Sequence, residues 1–244
     1  MKRVLLVALA LGLTVATTLV IRAPAAWIGD WLEARSKIRL VDARGTIWRG
    51  SALLGFSDGR AITLVPGRLE WRIDGIGPDA VSAQFSHPWL IVPLRFSLGP
   101  EGLGFSRGNA RLPAGVLAAA GAPFNTLRPG GVLEVSWTDV RLHGTALTGE
   151  LQVDWQHAQS ALSTIAPIGS YRLRVRGRGK SPLLDLQTLS GPLHMQGSGR
   201  IDGTRVRFAG TASAEAEMRR SLDGLLGVLG MRSGDKVLLA IDSG

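Results

Sequence analysis

Strict alternation of apolar and polar residues recurs along this chain, and no other feature limits its fold as much. Leu69, Trp71 and Ile73 alternate with Glu70, Arg72 and Asp74; Leu133, Val135 and Trp137 with Glu134, Ser136 and Thr138. The same holds for Leu151, Val153 and Trp155, for Tyr171, Leu173 and Val175, and for Val206 and Phe208. Successive side chains of a strand point to opposite faces, so each segment has one dry and one wet face. Antiparallel sheets read this way, whereas parallel α/β cores give unbroken apolar runs. Glycine and proline, 32 and 12 of 244 residues, fall at turn spacing without a low-complexity block. The prediction is a mainly β body over residues 36–244. It has roughly ten or more short antiparallel strands, as a sandwich or a curved, jelly-roll-like sheet.

Two segments nearly repeat: Gly131 to Trp137 (GVLEVSW) and Gly149 to Trp155 (GELQVDW). A turn at His143-Gly144-Thr145 folds one back on the other. Pairing about Gly144 sets Trp137 opposite Leu151 and Leu133 opposite Trp155, all on the dry face. The phase slips near Asp139, where Val140 and Leu142 take over, and a bulge there reconciles the two halves.

One or two short helices are expected. Leu112 to Ala120 is Ala-rich, with Pro113 in its first turn. Met218, Leu222, Leu225, Leu226 and Leu229 form one apolar helical face, and Gly230 stops it. This helix packs on the sheet.

The N-terminus differs in kind. Val4 to Ile21 runs eighteen residues without a charge, about 27 Å of helix against a hydrocarbon core of about 30 Å. Lys2 and Arg3 precede it, so its N-terminus is expected in the cytoplasm and the rest across the membrane. The expected organisation is an inner-membrane anchor over 1–22, a short interfacial helix over 23–35 and the periplasmic β domain over 36–244. Val4, Leu5, Leu9, Leu13, Leu19 and Ile21 are the anchor's apolar contacts, and Trp27 and Trp31 its aromatic belt. Ala23-Pro24-Ala25 has the form of a signal-peptide cleavage site, but the run is longer than a usual signal core and ends on Arg22. The absence of a second such run excludes a multi-span channel or transporter.

No chemistry emerges. Cysteine is absent, which removes disulfides, thiolate zinc sites and thiol catalysis. No nucleophile elbow or phosphate-binding glycine loop is present; Gly197-Ser198-Gly199 reads as a turn. His87, His143, His157 and His194 have no metal-ligand spacing. No catalytic residue, metal or cofactor is expected, and an exported body would not meet nucleic acid.

The basic excess, 28 Lys and Arg against 19 Asp and Glu, has one focus. Arg172, Arg174, Arg176 and Arg178, with Lys180, line one face of one strand. They form either a solvated sheet face or a basic strip for an acidic partner subunit or lipid head groups. Asp185 and Asp202 are the carboxylates close by in sequence.

In order, these pieces resemble type II secretion system protein N, the general secretion pathway N family. They are the anchor and Trp helix from Pro24 to Leu32, the segment DARGTIWRGSA from Asp42 to Ala52, and the strand from Leu69 to Arg72. The tail follows: Leu189 to Gly199, Phe208 to Ala214 and Leu222 to Gly230. The stretch Trp71 to Pro78 is looser than the family's pattern. The resemblance implies a non-enzymatic accessory subunit of the inner-membrane platform of Gram-negative bacteria, which serves export of folded exoproteins. Its implied partners are the L, M and C components, with the secretin as a further candidate. The segment around Gly45 to Gly50 also resembles AsmA-like proteins, so the alternative is a periplasmic lipid-binding or lipid-bridging module. That alternative needs an open apolar groove; the helix over 218–229 argues for a closed core.

Overall fold

The computed structural model describes residues 18–57, 62–78, 80–120, 124–203 and 205–243. It is mainly β, an antiparallel sheet with few helices. Most of the anchor segment, including Val4, Leu5, Leu9 and Leu13, lies outside the described residues. Among the described residues no helix is long and apolar enough to cross a membrane. The chain divides into two compact units, the first reaching to Ile76 and including Ser82–Pro88, the second Gly77–Val81 with Trp89 onward.

In the first unit, helix α1 (Ala26–Glu33) precedes strands β1 (Ile38–Gly45), β2 (Arg49–Ser57), β3 (Ile62–Ile76) and β4 (Val81–Ser86), which lie side by side in chain order. Its core is Ala25, Ala52 and Trp71, with Ile28, Leu40, Ala43 and Phe85 packed on it. Gly50 stands directly opposite Trp71. A Cβ on Gly50 would sit 2.5 Å from the indole, so only glycine lets the ring lie over the neighbouring strand. The Trp71 Nε1–H donates to the Ile47 carbonyl at 3.1 Å, which satisfies the one polar atom of a buried ring.

The second unit holds β5 (Leu94–Gly99), β6 (Gly102–Phe105), β7 (Gly108–Pro113), a 3-10 segment (Ala114–Ala120), α2 (Phe124–Leu127), β8 (Gly130–Trp137), β9 (Val140–His143) and β10 (Ala146–Gln159). It continues with β11 (Gly169–Gly179), β12 (Leu183–Ser190), β13 (Leu193–Asp202), β14 (Arg205–Ala214), a 3-10 turn (Ala216–Met218), α3 (Arg219–Leu229), β15 (Met231–Ser233) and β16 (Lys236–Ser243). From β10 to β14 each strand pairs with the next; β16 follows β14, β8 and β9 both pair with β10, and β7 pairs with β8.

The hairpin across Gly144 has the expected register. Trp137 faces Leu151 and Leu133 faces Trp155. Beyond Asp139 the pairing shifts by one, with Arg141, Leu142 and His143 opposite Thr148, Leu147 and Ala146. Gly149 absorbs this bulge at φ 101°, where a Cβ would meet the Asp139 carbonyl at 2.6 Å.

Helix α3 forms over nearly the expected span. Leu222, Leu225 and Leu226 are buried among Ile168, Tyr171, Leu193, Ala212 and Val237. A helix, rather than a second sheet, closes this part of the dry face. Gly230 ends the helix for a different reason from the one expected. Its backbone is extended, and the glycine is needed because a Cβ would come 2.1 Å from the Leu238 carbonyl.

Two readings are corrected. Gly197-Ser198-Gly199 is mid-strand in β13, not a turn. The Phe208 ring occupies the space above Gly197, 2.5 Å from where its Cβ would be. The Ala-rich segment after Pro113 is a 3-10 helix, and Pro113 itself ends β7.

Candidate functional site

Two surfaces carry the residues singled out in the sequence, one on each unit. On the first unit, Leu19 and Ile21 are exposed, and Trp27 and Trp31 stand out at 56% exposure each. The two indoles lie one helical turn apart on α1, whose opposite side is sealed by Gly29 and Ile28 against the sheet. The Arg35 guanidinium stacks over the Trp31 ring, 4.7 Å from its centre. The turn between β1 and β2 is tied to the start of this segment. The Ile47 N–H donates to the Ala23 carbonyl at 2.9 Å, the Ala25 N–H to Gly45 at 3.1 Å, and the Trp48 indole N–H to Val20 at 2.7 Å.

On the second unit, the four arginines share one face of β11, as period two requires. Their surroundings differ from expectation. Two carboxylates that face them, Asp154 and Glu150, sit on β10. Register sets Arg172 opposite Asp154, Arg174 opposite Gln152, Arg176 opposite Glu150 and Arg178 opposite Thr148. Asp154 is only 7% exposed. It accepts from Arg172 twice, Nε to Oδ1 at 2.7 Å and Nη2 to Oδ2 at 2.6 Å. This pairing raises the Arg172 pKa above its ordinary value, with the hydrogen bond as the main cause. The Gln152 amide N–H donates to Asp154 at 3.2 Å and its carbonyl accepts from Arg174 at 3.1 Å. One buried carboxylate thus organises Arg172 and Arg174 into an internal network.

Arg176 and Arg178 are exposed and form no ion pair among the described residues. Asp185 faces Arg174 from β12. Asp202, expected beside the strip, instead accepts from Ser181 at 3.0 Å and Arg200 at 2.9 Å and lies 3.5 Å from Arg207. The Ser181 hydroxyl, first, and the two guanidiniums hold its carboxyl below the usual range.

The dry face bears on the groove alternative. A recess of 260 Å³ opens among Leu94, Phe105, Trp137, Val140, Leu147 and Leu151 and reaches Val175 on β11. Four residues along the same strand face, Tyr171 is already in the core under α3. The uncovered apolar surface along β11 is therefore short.

Among the described residues no group of His, Asp and Glu is placed to hold a metal ion. A family profile, type II secretion system (T2SS), protein N, matches residues 36–238. No curated protein and no solved structure matches.

Proposed function

The chain belongs to the type II secretion system protein N family, which implies an accessory role in type II secretion and interaction with other components, and from that premise we propose how it does so. It is a non-enzymatic subunit held in the inner membrane by residues 1–22, N-terminus inside. Residues 23–35 lie at the outer membrane interface, with Trp27 and Trp31 in the head-group layer. Residues 36–244 stand in the periplasm and contact the platform's L, M and C components, and the secretin as a further candidate. The contact strip narrows to Arg176 and Arg178, because Arg172 and Arg174 are spent on Asp154 and Gln152. Exposed guanidiniums without an internal partner suit the carboxylates of an acidic neighbour.

The observation that carries this reading is the family match over 36–238. In-cell crosslinking of the tagged chain in membranes, with partners identified by mass spectrometry, tests it. Recovery of the L, M or C components supports the assembly role. Recovery of lipid-transport components with copurifying lipid, and none of the secretion subunits, overturns it in favour of a lipid module.

A further inference from the structure

We infer that the polar face of the first unit carries a binding site for the phosphate of an anionic phospholipid, built from Arg49, Arg72 and Arg44. Arg49 stands directly opposite Arg72 on β2 and β3. Like charges in that relation weaken a sheet, unless an anion lies between them. In the next row Arg44 faces Ser51, and Ser51 faces Glu70. With Gln84 these six side chains line a recess of 430 Å³. Arg72 is engaged by Asp74 at 2.7 Å and by Gln84 at 3.2 Å, and Arg44 by Asp42 at 2.9 Å. The Arg49 guanidinium meets no carboxylate among the described residues. Glu70 is the one carboxylate in the lining, against three guanidiniums. Two planar forks at cross-strand distance, about 5 Å, match the oxygens of a phosphate.

Position selects a lipid as the source. Arg49 follows Trp48, whose indole is bonded to the Val20 carbonyl at the end of the apolar run. The Ile73 N–H donates to the Trp48 carbonyl at 2.7 Å, which fixes Arg72 at the same level. The arginine pair therefore lies one residue from a turn tied to the membrane-proximal segment. Lipid phosphates occupy the layer about 5–7 Å thick just outside the hydrocarbon core. Trp27 and Trp31 mark that layer on the same unit.

The inference rests on the membrane attachment proposed above, and membrane fractionation tests that part separately. A chain found in membranes that shows no lipid preference refutes the site alone; a chain found soluble refutes both. The test is native mass spectrometry of the full-length chain in detergent, titrated with phosphatidylglycerol or phosphatidylcholine. The wild type should retain one phosphatidylglycerol about tenfold better than phosphatidylcholine. Arg49→Gln should abolish that preference, and it removes no ion pair seen in the fold, so the variant should fold. Arg49→Lys should restore part of it, and Arg95→Gln, an exposed arginine on the other unit, should leave it intact. Equal retention of the two lipids by the wild type would overturn the site. So would an unchanged preference in Arg49→Gln, or capture of inorganic phosphate in place of the lipid.

Discussion

Asp154 and Arg172 stand directly opposite each other on β10 and β11, joined by two hydrogen bonds of 2.7 and 2.6 Å on the polar face of the sheet. This pair divides the arginine row into an inner, structural half and an outer, available half. A buried carboxylate with two partners holds register between two strands joined by a long loop, where the turn alone does not set it. The outer half, Arg176 and Arg178, is exposed and forms no ion pair among the described residues.

The division predicts opposite mutational phenotypes. Asp154→Ala leaves the Arg172 guanidinium and the Gln152 amide without their acceptor and should cost about 1.5–3 kcal/mol. Arg178→Ala should change stability by less than about 0.5 kcal/mol. Urea unfolding of both variants, read by tryptophan fluorescence, checks the contrast; equal effects would contradict it.

Charge reversal at the outer half should act on binding alone. Arg176→Glu with Arg178→Glu is expected to keep the wild-type unfolding midpoint and to reduce recovery of secretion partners after crosslinking. Unchanged recovery with an intact fold would eliminate this strip as a contact surface.

Gly50 is predicted to be intolerant of a single methyl group. A Cβ there would lie 2.5 Å from Trp71 and 2.8 Å from the Arg44 and Thr46 carbonyls. Overpacking of this kind costs about 1–3 kcal/mol. Gly50→Ala should therefore lower the thermal midpoint, while alanine at Gly203, which has open space but φ 63°, should cost less. A Gly50→Ala midpoint equal to wild type would refute the packing described.

His87 sets a pH dependence. Burial holds its pKa below the ordinary value of 6.5, against a smaller opposite effect of its hydrogen bond to the Gly67 backbone. The unfolded chain then binds the proton more readily than the folded one. Stability conferred by neutral His87 is complete above pH 6.5 and is lost as pH falls through that value toward the lower folded pKa. Asp42 and Asp202, whose carboxyls their hydrogen bonds hold low, titrate beneath this window. Unfolding midpoints between about pH 7.5 and pH 5.5 should fall on acidification, and His87→Gln should flatten the profile. A His87→Gln profile as steep as the wild type's would contradict this assignment.

Period two made the strands and their dry faces legible, and the Gly144 turn made one register legible, because a tight hairpin fixes which residues meet. The Trp137–Leu151 and Leu133–Trp155 pairs follow from that turn together with the bulge beyond Asp139. The Asp154–Arg172 pair did not, since the nine residues between β10 and β11 carry no turn signal that sets register. Arg49 was not read as a strand position, and a register irregularity between Leu53 and Gly55 separates its pairing with Arg72 from the turn that joins the two strands. Gly197 and Gly199 were misread because glycine marks both a turn and a seat for an aromatic ring, and only the placement of Phe208 separates the two. Phe124–Leu127 is too short to show helical periodicity, although Leu127 enters the core.

In the function proposed above, this chain works by contact with the secretion machine through the outer arginines of its second unit. Placing a photo-crosslinking residue at Arg178 of the full-length chain in cells, with the adduct identified by mass spectrometry, tests it most directly. An adduct with a secretion subunit is expected at that position, and none when the crosslinker replaces the buried Leu193. An adduct with no secretion subunit at Arg178, in cells where secretion proceeds, would contradict it.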